Sequence, residues 1–309
     1  MPSYGNVSAW GSSKISITDF VFHPAGNGWQ LDRKRFEQRL ANAAIEAGAT
    51  IDYGARFVGA KEISKGWKVR GLCADFVANV TARWLVDASG RNAIVARRLG
   101  AQRPAEDSLI GVWCIGELVS SPSTELDTRT LVESTPEGWW YFGALPKSRC
   151  VVAWLCDADE LRESTRRSVE WFRERIDSTV HVRKQVDRLG YRPIDGPRYS
   201  DACSARTLPY AGTAWLAVGD AACSFDPLSS QGILHALETG IDAGNAIAEA
   251  LRENTAPLRQ YCATLEEKWA AYENARRGYY EQESRWIDST FWRRRAGKQL
   301  AMIPETISS

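Results

Sequence analysis

The first regular run of apolar residues is Phe36, Leu40, Ala44 and Ala47, the spacing of one face of a helix. Asp32 is placed to cap its start, Leu31 and Phe36 to staple across that cap, and Gly48 to end it, giving a helix of about four turns. Residues 1–24 show poor periodicity and many small polar side chains. The segments 49–58, 59–69 and 75–80 alternate imperfectly around turn signals at Lys65-Gly66 and Gly71, and read as short antiparallel strands. Next comes an apolar strand ending in Asp87, a turn through Gly90-Arg91, and a helix from about Asn92 to Leu99 closed by Gly100.

Ile110–Leu118, Thr130–Glu133, Trp139–Leu145 and Val151–Cys156 are strand-like and are separated by Pro-Glu-Gly and Pro-Lys-Ser turns. A helix follows from about Ser164 to Ile176, with Val169, Phe172 and Ile176 on one face. Trp215–Val218 reads as a buried strand that stops at Gly219-Asp220. Beyond Asp226-Pro227, the series Ile233, Leu237, Ile241, Gly244, Ala248 and Leu251 predicts a helix starting near Ser229–Gly232. Pro257 to about Arg295 is also helical in pattern, dense in aromatic and arginine residues.

Composition narrows the class. A chain of 309 residues with 44% hydrophobic content can bury one large or two ordinary cores. Thirty-nine basic against 38 acidic residues argues against a general nucleic-acid or membrane-surface binder, even with the Arg293-Arg294-Arg295 tail. The seven cysteines form no C-x-x-C pair, and with no signal peptide or long apolar run the expectation is a reduced, soluble, cytoplasmic protein. Three widely spaced histidines give no metal cluster, and neither G-x-S-x-G nor H-E-x-x-H occurs.

Candidate chemistry gathers where strands end. Ligands of open α/β sheets sit at the carboxyl ends of strands, which places Asp87, Gly90 and Asp220 well. A helix start carries unpaired N–H groups and about half a positive charge, so the first turn after Pro227 can hold an anion or a ring that becomes anionic. Asp220 is an acceptor suited to ligand hydroxyls, and Gly219 allows close backbone approach. Pro227 biases Asp226 toward an extended conformation and makes a rigid bend before the helix. A Gly-Asp after a strand is by itself usually only a turn; the ordered series strand, Gly-Asp-Ala-Ala, Asp-Pro-Leu-Ser-Ser-Gln-Gly and helix is more specific.

That series resembles the second flavin-binding motif of FAD-dependent aromatic hydroxylases and flavin-dependent halogenases, and Asp87-Ala88-Ser89-Gly90-Arg91 resembles another segment of the same family. The resemblance covers roughly residues 28–295. It implies FAD as cofactor, with Gly219 and Asp220 on the ribityl chain and the backbone of Pro227, Ser229, Ser230, Gln231 and Gly232 facing the flavin ring. It also places Asp87, Gly90 and Arg91 close to the flavin. Arg33, in the pattern Leu-Asp-Arg-x-x-Phe, matches an arginine near the sugar-phosphate part; it would equally serve as a surface arginine. The implied fold is α/β: a Rossmann-like FAD-binding domain of the glutathione-reductase type, N-terminally truncated, with an inserted, mainly antiparallel β substrate domain and a C-terminal helical region. The corresponding boundaries are 1–103 and 210–256 for the FAD-binding domain, 104–209 for the substrate domain and 257–309 for a helical cap.

The chain departs from the family in lacking the strand, G-x-G-x-x-G and helix that cradle a pyrophosphate, from which weak FAD binding is expected. Halogenases of this kind carry W-x-W-x-I-P. Here the matching stretch is Tyr141-Phe142-Gly143-Ala144-Leu145-Pro146, with Gly143 in place of the second Trp, and the segment bearing the halogenase lysine has no counterpart. The expectation is therefore a monooxygenase acting through a flavin hydroperoxide on an aromatic small molecule or a peptide or protein. NAD(P)H or a flavin reductase would supply electrons. The GWWY segment and the Arg-rich tail resemble flavoproteins that hydroxylate protein-borne tryptophan in quinone cofactor maturation. Trp139, Trp140 and Tyr141 are candidates for a substrate wall, although alternate aromatics also pack in half-buried sheets. A halogenase and a non-catalytic remnant or binding protein remain the alternatives.

Overall fold

Strand alternation over residues 109–157 puts Val112, Cys114, Trp140, Phe142, Val152 and Trp154 into one buried cluster, and this packing organises the first of two compact units. The structure is a computed structural model that describes residues 1–21, 23–73, 76–119, 127–161 and 168–296. Its helices are α1 (Arg33–Glu46), α2 (Ile94–Arg98), α3 (Val169–Asp177), α4 (His181–Arg188), α5 (Gly232–Ala250), α6 (Ala256–Glu281) and α7 (Thr290–Arg295). One unit comprises Met1–Gln38, Leu109–Asp201 and Ala275–Ser309; the other comprises Arg39–Ser108 and Ala202–Asn274. Among the described residues no helix is long and apolar enough to cross a membrane.

The first unit is built on an eight-stranded sheet. In spatial order its main path runs Tyr191–Pro193, Leu109–Leu118, Arg149–Asp157, Gly138–Leu145, Thr130–Thr135, Gly5–Ala9 and Ser16–Asp19; Arg198–Asp201 also pairs with Leu109–Leu118. Every pairing is antiparallel except Thr130–Thr135 with Gly5–Ala9. One face packs against Phe172 and Ile176 of α3 and Val182 and Val186 of α4. The Pro-Glu-Gly turn is closed by Gly138, whose φ of +149° and 2.0 Å approach of a would-be Cβ to the Leu155 carbonyl admit no other residue. Of the expected helix from Ser164, residues 164–167 lie outside the described residues, and the rest forms as α3 with Ser168 as its N-cap.

Two parts of this unit differ from the sequence expectation. The irregular N-terminus supplies sheet strands, because backbone pairing with Thr130–Thr135 stabilises a segment that lacks its own apolar pattern. The helical tail is interrupted between α6 and α7, and its arginines pair locally: Arg295 and Arg294 each approach Asp157 to 2.7 Å, and Arg294 reaches Asp159 at 2.7 Å.

In the second unit, Ala55–Ile63, Gly66–Cys73 and Phe76–Ala82 form an antiparallel sheet, residues 74 and 75 lying outside the described residues. Leu85–Asp87 pairs in parallel with Trp215–Ala217, which in turn pairs antiparallel with Ala211–Gly212. Leu216, Val218, Cys223 and Phe225 pack with Ala243 and Ala246 of α5 and Leu265 and Trp269 of α6.

α5 forms where its periodicity predicts, but it turns a different side inward. His235, Thr239, Ala243 and Ala246 are its buried residues, whereas Leu237, Ile241, Gly244, Ala248 and Leu251 of the larger apolar stripe are exposed. Closeness decides this. A Cβ on Gly219 would stand 3.2 Å from the Ala236 Cβ, and the Gly219 N–H donates to Thr239 Oγ1 at 2.8 Å, so the helix meets the strand end through small side chains.

Candidate functional site

The parallel pair Leu85–Asp87 and Trp215–Ala217 ends side by side, and both following turns belong to the second unit. After the first strand, the Asp87 carboxylate is fully buried and held internally. It accepts from Ser89 N at 2.9 Å, Ser89 Oγ at 2.6 Å and Ala96 N at 2.7 Å, which ties the turn to the start of α2. Asp87 therefore shapes the loop, while Gly90, at φ +72° with nothing within 4 Å of a would-be Cβ, borders open space.

Arg91 and Arg103 join this loop to the next. Arg91 donates to the carbonyls of Cys203 and Phe225, each at 2.7 Å, and its Nε stands 3.7 Å from Asp220 Oδ2. Arg103 donates to the carbonyls of Asp220 at 2.7 Å and Arg91 at 3.0 Å, to Thr207 Oγ1 at 2.8 Å and to Ser224 Oγ at 2.9 Å. Arg103 was not evident from sequence: it lies in an irregular polar stretch, and its partners become neighbours only on folding.

After the second strand, Gly219 adopts φ +54° and Asp220 keeps a third of its side chain exposed. Asp226 is extended, as the following proline requires, and its Oδ1 accepts from Leu228 N at 2.9 Å; Ser229 Oγ donates back to the Asp226 carbonyl at 2.8 Å. This fixes the 3-10 turn Pro227–Ser229. Ser230 then turns at φ +53°, and α5 begins at Gly232 without a side-chain cap from Gln231. A Cβ on Gly232 would lie 4.0 Å from Asp220 Oδ1. A partly exposed carboxylate and an uncapped helix start thus converge on one corner, which offers hydroxyl acceptors and N–H donors together.

The remaining sequence candidates lie in the first unit. Arg33 is exposed in the first turn of α1 and pairs with Glu37 at 2.6 Å. Trp139 and Trp140 are packed in the interior: Trp140 stacks on Trp154 with centroids 5.8 Å apart, and Trp139 Nε1 donates to the Tyr280 hydroxyl at 3.1 Å. The opposed faces of the sheet each find a covering layer there, so neither indole presents a wall. Tyr141 is half-buried on the face opposite Trp140, with its hydroxyl toward Thr130 and Gln30 and 2.8 Å from where a Cβ on Gly143 would stand. Among the described residues no group of histidine, cysteine, aspartate and glutamate is placed to hold a metal.

Residues 29–267 match the FAD binding domain family, and the chain belongs to it. Its cofactor is FAD, and the corner at Asp220 and α5 offers a carboxylate acceptor beside uncapped helix-start N–H groups. The chain is 29% identical over 301 residues to LodB of Marinomonas mediterranea, a protein named as an FAD-dependent oxidoreductase, covering 95% of this chain and 78% of LodB. The fold is that of the flavin-dependent halogenase CmlS, with TM-score 0.82 and 22% identity over 97% of this chain and 56% of CmlS. It is also that of the peptidyl tryptophan dihydroxylase QhpG, with TM-score 0.75 and 21% identity over 98% of this chain and 65% of QhpG. The chain thus spans between about half and four-fifths of the length of these proteins.

Proposed function

We propose that this FAD-dependent oxidoreductase is a monooxygenase that hydroxylates an aromatic substrate, an indole or a protein-borne tryptophan, with electrons from NAD(P)H or a flavin reductase. Tyr141 and Gly143 carry the choice over halogenation. The Tyr141 ring and hydroxyl fill the space that any side chain at position 143 would need, the nearest atoms being 2.8–3.1 Å from the Cβ position. The second tryptophan of the halogenase-like motif would require that ring to move. Similarity in fold to QhpG is consistent with a peptide substrate, and similarity to CmlS keeps halogenation as the second reading.

Bound FAD supplies the oxygen chemistry, and this chain's residues hold and shield it. Asp220 would accept hydrogen bonds from ribityl hydroxyls. The amides of residues 232–234 would present donors and a positive helix end to a ring that can carry negative charge. Gly90 leaves room for close approach, while Asp87, Arg91 and Arg103 keep both loops in place.

The test supplies the FAD-loaded chain with oxygen, a reductase and a tryptophan-containing peptide or indole, with and without bromide or chloride. A product that has gained one oxygen independently of halide is expected. A halogenated, halide-dependent product would establish the second reading instead, and a chain that stays colourless with FAD would favour a non-catalytic remnant.

A further inference from the structure

His235 is a buried titratable group that the reading above leaves without a role. It lies one turn inside α5 and is 3% exposed, and its Nε2 has no hydrogen-bond partner among the described residues. Helical side chains lean toward the N-terminus, which carries this ring toward the start of α5. Its ring centroid is 4.7 Å from that of Phe225, the residue before Asp226-Pro227, and the backbone of Gly219 and the charge of Asp220 act on it. Behind it, the His235 carbonyl accepts from Thr239 Oγ1 at 2.7 Å, the same hydroxyl that receives the Gly219 N–H. One side chain therefore touches both halves of the corner.

We propose that His235 is a positioning residue of the FAD site: as a neutral, buried imidazole it seats the Gly219-Asp220 turn against the first turn of α5, and protonation, which its burial opposes, unseats it and releases the cofactor. This rests on the assignment of that corner to FAD. The charged groups around the ring are Lys268 of α6, which pairs with Glu238 of α5 at 2.8 Å, and Asp220. The nearby Tyr272 hydroxyl is engaged by Ser204 Oγ at 2.5 Å and by the Asp226 N–H at 2.8 Å. Burial, and after it the Lys268 charge, outweigh the Asp220 carboxylate, the Gly219 backbone and Glu238, which favour the charged ring, and hold the imidazole below its ordinary value of 6.5. A positive end of α5 beside it acts in the same direction.

The sign follows from linkage. A histidine whose pKa is depressed in the binding-competent state opposes protonation, so affinity is fully present above 6.5 and is lost as pH falls toward the folded-state value. Flavin fluorescence quenching measures the FAD dissociation constant of the intact chain from neutral to mildly acidic pH, with melting of the FAD-free chain as a control for folding. Wild-type affinity is expected to fall by up to about tenfold per pH unit on the acid side. His235→Gln, which takes up no proton, should flatten the profile to within about threefold. Lys268→Gln, at the half-buried pair with Glu238, should shift the loss to higher pH and leave the neutral-pH affinity unchanged. That shift is one a merely structural histidine would not produce, and it decides the matter if His235→Gln does not fold.

Asp220→Ala separates the two levels of inference. If it leaves FAD affinity unchanged at all pH values, the corner is not the cofactor site and the inference falls with it. If Asp220→Ala weakens binding but His235→Gln retains the wild-type pH profile, or Lys268→Gln does not move it, the role of His235 alone is overturned.

Discussion

Two aspartates follow two parallel strands, and their surroundings give them opposite uses. Asp87 has both oxygens engaged by backbone and side-chain donors of its own loop, whereas Asp220 offers its carboxylate beside an uncapped helix. Asp87→Ala should therefore lower stability by about 2–4 kcal/mol, because buried donors at Ser89 and Ala96 lose their acceptor; urea unfolding of the FAD-free chain measures this. Asp220→Ala should leave that unfolding curve nearly unchanged and weaken FAD binding by about 1–3 kcal/mol, read from the dissociation constant. Equal effects of the two substitutions on unfolding would erase the distinction. From the sequence both residues look alike, an acid after an apolar run. The difference lies in which donors the fold returns to each, as with Arg103, whose partners span residues 91–224.

At the level of elements, local signals were legible where capping and periodicity agreed. α1 has the Asp32 carboxylate accepting from Arg35 N at 3.2 Å, and its end passes into Gly48 at φ +96°. The strands from Leu109 to Asp157 fall close to their alternating apolar positions. α4 was not foreseen, because its start is capped from outside its own sequence. The buried Glu133 carboxylate accepts from the N–H groups of Val180, His181 and Val182 at 2.7, 2.9 and 2.8 Å. Glu133→Ala should destabilise the first unit by about 2–3 kcal/mol and Glu133→Gln by less. Hydrogen exchange at residues 180–184 would locate the loss, and unchanged protection there would contradict the capping role. The inward face of α5 was likewise illegible, because apolar periodicity marks the larger side chains while the close approach at Gly219 selects the smaller ones.

For the whole molecule, the order of motifs was enough to indicate an FAD-binding α/β chain, and the family match over residues 29–267 agrees with it. Each compact unit gathers segments distant in sequence, and residues 1–21 contribute strands without an apolar pattern of their own. The cysteines add a global test. Burial pushes the Cys114 thiol up to about 11 and those of Cys150 and Cys223 up to about 12. These three should resist a thiol reagent at pH 8 in the native chain and react once it is unfolded, as mass mapping would show; rapid native labelling of any of them would argue against these cores.

The Tyr141–Gly143 contact has a consequence for how members of this family interconvert. With the phenol lying over the glycine, installing a tryptophan at 143 first produces a clash. The tyrosine must be moved or exchanged beforehand or at the same time. The same pair of substitutions should thus be harmful in one order and tolerated in the other, an epistatic ratchet that orders any path, natural or engineered, through this sheet.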